Sequence, residues 1–331
     1  MSDVTDTKKK SMKGLAVVVL VVVLVLPLGP CQGALQDGYC KGKCGSTDVE
    51  DTIKNVVLSK FNQDRSIVAA LLRMQFHDCF VKGCDASILL DGSSSEKAAI
   101  PNLSVRGYDI IDEAKAALEK ACPGVVSCAD IIIAATRDAV SFSGGERYEI
   151  QTGRKDGLVS QASNVNLPSP SISVSDSIAA FAKKGLTTED MVLLLGGHTV
   201  GVAHCSLFQD RLYNYQGTGQ RDPNMSLLLA VTLSLRCPKN ASVDNTANLD
   251  QNPLSALVVD NDYYKQLLLR RGVLQIDQAL AMDARTRPTV ASLASRSDFT
   301  SQFAEAMVKL GAVEVLTDEQ GQIRRSCRSV N

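Results

Sequence analysis

Residues 73–87 read Arg73-Met74-Gln75-Phe76-His77-Asp78-Cys79-Phe80-Val81-Lys82-Gly83-Cys84-Asp85-Ala86-Ser87. Ile67, Ala70, Leu71 and Met74 repeat at helical spacing, so the stretch opens on a helix. Arg73 and His77 stand four residues apart and therefore on one face of it. An arginine beside a histidine offers a fixed charge and a tunable base in one place. A solvated helix face is the plain alternative, but Leu71, Leu72, Met74 and Phe76 make the surroundings apolar. The pair is therefore expected to be at least partly buried. Cys79 and Cys84 then bracket a tight loop. Asp78, Val81, Gly83, Asp85 and Ser87 place oxygen donors at a spacing that suits calcium, although the acidic twelfth position of an EF-hand is missing.

Outward from this stretch the chain reads mainly helical. Helical periodicity recurs at Val49–Val57 after Ser46 and Thr47, which can cap, and at Ile110–Leu118. It recurs again at Ala129–Phe142, which stops at Gly144-Gly145, and at Met225–Leu235, Tyr263–Leu269 and Phe299–Leu310. Thr187-Thr188-Glu189-Asp190 opens a further helix as a capping box. The clearest strand signal is Tyr148-Glu149-Ile150, and Asn164–Ser177, rich in Pro and Ser, reads as a loop. The fold class is all-α with minor short β. With 331 residues, 45% hydrophobic and 21% charged, the chain has the composition of a globular protein and not of a disordered one. A formal net charge of −1 gives no long-range attraction to nucleic acid or to an anionic membrane.

Lys8, Lys9, Lys10 and Lys13 precede an apolar run from Gly14 to Leu28, followed by small residues up to Ala34. This is the pattern of a secretory signal peptide over residues 1–33, with an uncleaved anchor as the alternative. A single domain then covers residues 34–331. Secretion favours disulfides. Of ten cysteines, Cys31 is lost with the signal, so nine remain and one lacks an intramolecular partner. Cys40, crowding Cys44, is the candidate.

Only His77, His198 and His204 are available for histidine chemistry. His198 follows Leu193-Leu194-Leu195-Gly196-Gly197, where two glycines would let it approach a flat, bulky group. A satisfied core histidine is the plain alternative there, and it is the preferred reading for His204. No Cys and His pairs stand at zinc spacing.

Together these segments resemble the secretory plant peroxidases, the haem enzymes of class III, over nearly the whole mature chain. The shared motifs are residues 73–87, Val126-Ser127-Cys128-Ala129-Asp130, Gly196-Gly197-His198-Thr199-Val200-Gly201, and Gly321-Gln322-Ile323-Arg324 through Cys327. The resemblance implies a two-lobed fold with one haem b between a distal and a proximal lobe, and two calcium ions per chain. His198 resembles the axial ligand to haem iron, and Asp277 the carboxylate on its other ring nitrogen. His77 resembles the distal proton acceptor and Arg73 the group that stabilises developing charge. Asn102 resembles the partner that orients His77, with Glu96 behind it, and Phe76 the residue that narrows access. Pro168 resembles the edge residue that contacts reducing substrate. The first calcium would take Asp78, Val81, Gly83, Asp85 and Ser87, and the second Thr199, Asp250, Ser255, Val258 and Asp260. Between Asp250 and Ser255 the chain is about two residues longer than the common pattern, and Ser255 replaces a threonine.

The implied disulfides are Cys44–Cys122, Cys79–Cys84, Cys128–Cys327 and Cys205–Cys237, which leaves Cys40 as a free thiol or an intermolecular linkage point. Asp130 and Arg154 resemble a buried ion pair. The implied partners are hydrogen peroxide and small phenolic donors, with no nucleic acid, no stable membrane association and a monomeric state. The implied setting is the cell wall, apoplast or vacuole, in phenolic and lignin metabolism and the response to oxidative stress. Ile100, Ser171 and Leu207 stand where some relatives carry aromatic rings, which should weaken stacking with flat donors. Sequons occur at Asn102, Asn224 and Asn240. Asn102 is expected to stay bare because it points into the pocket. A wall-binding scaffold without catalysis, and oxidase or hydroxyl-radical chemistry at the same haem, are the competing functions.

Overall fold

The computed structural model describes residues 35–331, so the expected signal peptide lies outside the described residues. Four helices build the first lobe: α1 (Val49–Gln63), α2 (Ile67–Phe80), α3 (Tyr108–Ala121) and α4 (Cys128–Phe142). α1 starts after Asp48, whose carboxylate accepts from the Asp51 N–H at 3.0 Å, so the cap is one residue later than Ser46-Thr47. It turns Val49, Ile53, Val57 and Phe61 inward. α4 is capped by Ser127 and buries nearly its whole length. α1 and α2 both pack on it.

The second lobe holds α5 (Val174–Lys183), α6 (Thr188–Leu195), α7 (Gln209–Tyr213), α8 (Leu227–Arg236), α9 (Asp262–Leu268), α10 (Gln275–Leu280), α11 (Arg287–Ser295) and α12 (Phe299–Gly311). The expected capping box is present on α6. Thr187 accepts from the Asp190 N–H at 3.1 Å, and Asp190 accepts from the Thr187 N–H at 2.9 Å. α6 packs against α5, α11 and α12, and α9 against α10 and α11. α2 joins the lobes, touching both α12 and the turn that follows α6. A Cβ built on Gly201 would lie 2.8 Å from Ala69 Cβ, and its φ of +93° also requires glycine. The chain beyond α6 is therefore pressed directly onto α2.

Among the described residues there are only two small antiparallel sheets: β1 (Gln36–Asp37) with β2 (Gln151–Thr152), and β3 (Val202–His204) with β4 (Thr246–Asn248). The expected strand at Tyr148–Ile150 is not one. Tyr148 and Ile150 are buried and Glu149 is exposed, but only the next two residues find a partner strand. The expected loop at 164–177 ends at Ser173, whose hydroxyl accepts from the Asp176 N–H at 3.0 Å and starts α5.

All four expected disulfides form. Cys128–Cys327 spans 199 residues and fastens the C-terminal tail to the first turn of α4. A loop of that length contributes roughly 3–5 kcal/mol in the chain-entropy picture. Arg154 donates to Asp130 at 2.8 Å and to the Gly311 carbonyl at 2.7 and 2.9 Å, tying α4 to the end of α12. Cys40 is free and buried, and burial pushes its thiol up to about 11. Linkage to another chain would need an exposure that it lacks.

Candidate active site

α2 is nearly all apolar and lies between the lobes, so its few polar side chains are placed where water is scarce. His77 is 8% exposed. Burial first, then the neighbouring Arg73 charge, pushes its imidazolium down to about 4, against a smaller upward pull from Asn102. His77 is thus a neutral imidazole at physiological pH. Its Nδ1 lies 2.6 Å from Asn102 Oδ1. Asn102 is buried and donates its amide N–H to the Glu96 backbone carbonyl at 2.8 Å. Both ends of the amide are thereby occupied, which fixes Nδ1 of His77 as the protonated nitrogen and leaves Nε2 as the acceptor. It is the main chain of Glu96 that anchors Asn102. The Glu96 carboxyl is fully buried without a hydrogen-bond partner, and burial pushes it up to about 7.

Arg73 reaches His77 along the helix face, with Nε donating to Nε2 at 3.2 Å. Its remaining donors are held by the Pro101 carbonyl at 2.7 Å and the Ser104 hydroxyl at 3.0 Å. Pro101 and Ser104 were not legible as part of the site. They belong to the short turn that also carries Asn102 and the exposed Ile100 and Leu103. Phe76 stacks on Phe80 at 4.6 Å and leans edge-on to His77 at 6.2 Å, so its ring is fixed beside the pair.

His198 sits in the turn after α6, the turn that packs on α2. Its Nδ1 lies 2.8 Å from Asp277 Oδ1 on α10. Burial pushes the imidazole down, but the Asp277 carboxylate outweighs it and the net shift is upward, against a further downward pull from Arg73. Arg73 therefore acts on both histidines across one cleft. The side chain of His198 is 30% exposed although Asp277 is buried, so Nε2 is on the open side of the ring. Gly196 is not shaped for a flat group: a Cβ there would lie 2.2 Å from the Tyr264 hydroxyl. Gly197 meets only ordinary contacts with Phe303. Tyr263, which the sequence did not single out, donates its hydroxyl to Asp277 Oδ1 at 2.9 Å. His204 is half-exposed, 3.3 Å from the Asp244 carbonyl, and has no part in the cleft.

A family model described as Peroxidase matches residues 53–296. The chain belongs to the peroxidase family. It is 52% identical to Peroxidase 60 of Arabidopsis thaliana over 302 residues, covering 90% of this chain and 91% of that one. It is 50% identical to Peroxidase 57 of the same plant over 313 residues, covering 94% and 97%. Membership makes the chain a haem-dependent peroxidase of class III, and the mainly helical arrangement agrees with the expected all-α class.

Two carboxylate clusters flank the cleft. Directly after His77, Asp78 accepts from the Ala86 N–H at 3.0 Å, and Asp85 from the Ser87 N–H at 2.9 Å. Burial, together with the charge of Asp85, holds the Asp78 carboxyl well above the usual range. The Ser87 hydroxyl is buried without a partner. The loop is folded tightly enough that a Cβ on Gly83 would lie 2.2 Å from the Glu314 carbonyl. Directly after His198, the Thr199 hydroxyl donates to the Val258 carbonyl at 3.3 Å and to Asp260 at 3.2 Å. Ser255 donates to Asp250 at 2.6 Å, and burial raises the Asp250 carboxyl, with Asp262 and Asp260 adding to it. Among the described residues no three His, Cys, Asp or Glu side chains gather at metal-binding distance. A cation in either place would therefore lean on hydroxyls and backbone carbonyls.

Pro168 is half-buried in the loop before α5. That loop is tied to α10, because Ile276 N–H donates to the Pro170 carbonyl at 3.1 Å. A cavity of about 400 Å³ opens elsewhere, lined by Cys40, Thr47, Glu50 and Arg147 among others, and shares no residue with the histidine cleft.

Proposed function

We propose that this peroxidase reduces hydrogen peroxide at one haem b held by His198 and recovers the electrons from small phenols, one at a time. The observation that carries this reading is the neutral, amide-oriented His77 beside Arg73, with His198 and Asp277 on the neighbouring turn. The residues suit a haem: His198 has its Nδ1 engaged and its Nε2 free on an exposed ring edge. Haem, when bound, supplies the redox centre for the two-electron reduction of peroxide.

His77 Nε2 takes the proton from one peroxide oxygen and returns it to the other, which departs as water. Arg73 must release Nε2 for this, and its guanidinium then stabilises the charge that develops as the O–O bond breaks. Asp277 draws on the His198 Nδ1 proton and makes that imidazole a stronger electron donor. Phe76 restricts the space beside His77, so donors react at the cleft rim. Pro168, Ser171, Ile100 and Leu207 are assigned to that rim, and its lack of aromatic rings weakens stacking, so phenols are held loosely there. One peroxide and two phenols give two waters and two phenoxyl radicals.

Calcium ions fit the two clusters. Asp78, Val81, Gly83, Asp85 and Ser87 offer buried like charges and an unsatisfied hydroxyl. Thr199, Asp250, Ser255, Val258 and Asp260 offer three hydrogen-bonded contacts in which each of the five takes part. Each calcium loop adjoins one histidine, so each ion would hold one wall of the cleft. Secretion by the signal at residues 1–33, glycans at Asn224 and Asn240, and a monomer acting on wall phenols complete the reading. Asn102 stays bare because it is buried with its amide in use.

The test is to mix mature, haem-loaded protein with one equivalent of hydrogen peroxide and then a phenol. Prompt loss of the Soret band and stepwise recovery are expected. An unaltered ferric spectrum would reject peroxide reduction and favour a wall-binding scaffold.

A further inference from the structure

The Asp277 carboxylate serves two donors with one oxygen. Oδ1 accepts from His198 Nδ1 at 2.8 Å and from the Tyr263 hydroxyl at 2.9 Å, while Oδ2 is buried without a partner. Asp277 is fully buried and Tyr263 is 1% exposed, so no water competes for these bonds. Tyr263 is held firmly. Its ring meets His198 edge-on at 6.1 Å and Tyr264 at 5.0 Å, and Tyr264 is itself pinned by a 3.0 Å bond to the Val192 carbonyl.

We propose that Tyr263 is a positioning residue that sets how strongly Asp277 draws on the proton of His198. Two donors on one carboxylate oxygen divide its charge, so each bond is weaker than it would be alone. The phenol also fixes which oxygen faces His198, because a carboxylate turned to present Oδ2 would forfeit it. The inference rests on the reading that His198 holds haem iron. Without the Tyr263 hydroxyl the full charge of Oδ1 falls on the His198 N–H, and the imidazole becomes more anionic. A more anionic axial ligand favours the oxidised metal and a stronger metal–nitrogen bond.

The experiment uses the holoenzyme and two variants that each remove one buried hydroxyl, Tyr263→Phe and Tyr264→Phe. The ferric/ferrous midpoint potential and the iron–imidazole stretching band of the ferrous protein are recorded. Tyr263→Phe is expected to move the potential to more negative values and the band to higher frequency. Tyr264→Phe, whose hydroxyl binds a backbone carbonyl, is expected to leave both at the wild-type values. Unchanged values in Tyr263→Phe, or equal shifts in both variants, would overturn the proposal. An iron–imidazole band that persists in His198→Ala holoenzyme would overturn the assignment of His198 itself, and the role of Tyr263 with it.

Discussion

Replacing Asn102 with alanine isolates what orientation of His77 contributes. The change removes the 2.6 Å contact at Nδ1 and also strips the Glu96 carbonyl of its 2.8 Å donor. The Glu96 carbonyl keeps the Ala99 N–H at 3.0 Å, so only the buried Nδ1 of His77 is left without a partner. The variant should therefore lose about 1–3 kcal/mol of stability, provided no water enters. The same bond selects the tautomer that leaves Nε2 free to accept. Losing about 1–3 kcal/mol of that preference lowers the rate of peroxide reduction roughly five- to 150-fold. The pH profile supplies a second, signed readout. His77 must be neutral to accept a proton, so the wild-type rate falls as pH drops through about 4. The Asn102 bond raises the His77 pKa, so its loss moves the acid limb lower still while the plateau falls. The assay is the stopped-flow rate constant with one equivalent of peroxide from pH 3 to 8, on protein confirmed to hold haem. A plateau within twofold of wild type, or an acid limb moved upward, would refute the orienting role.

Arg154→Met should destabilise the fold by about 3–5 kcal/mol, because it leaves the Asp130 carboxylate buried without its counter-charge, and thermal unfolding would register the drop. Chelation of calcium should lower activity and melting temperature together, since Asp78 follows His77 directly and Thr199 follows His198. Full activity in protein shown to be metal-free would break that link. Cys40 should resist thiol reagents in the native protein and react once per chain in denaturant, because burial pushes its pKa up to about 11.

The Arg73–His77 pairing was legible because its carriers are local, whereas His77–Asn102 and His198–Asp277, 25 and 79 residues apart, came only from the family resemblance. Arg73 and His77 share a helix face by simple periodicity, and the Thr187–Asp190 box is a three-residue signal. What escaped was set by tertiary partners. The alternation at Tyr148–Ile150 is real in burial, yet no strand lies beside it. α5 was hidden by the Ser and Pro that precede it, and α11 by its weak amphipathic pattern; each buries only two or three side chains. Glu96 sits where expected but contributes its carbonyl, a choice made by the backbone turn and invisible in residue type. Tyr263 meets Asp277 only because α9 and α10 pack together, and a tyrosine in a helical run carries no sign of that.

The central claim is that His77 is the base that moves the peroxide proton. His77→Ala, purified with haem bound, should react with one equivalent of hydrogen peroxide about 10²–10⁴-fold more slowly than wild type in the stopped flow. An unchanged rate constant with full haem occupancy would contradict it.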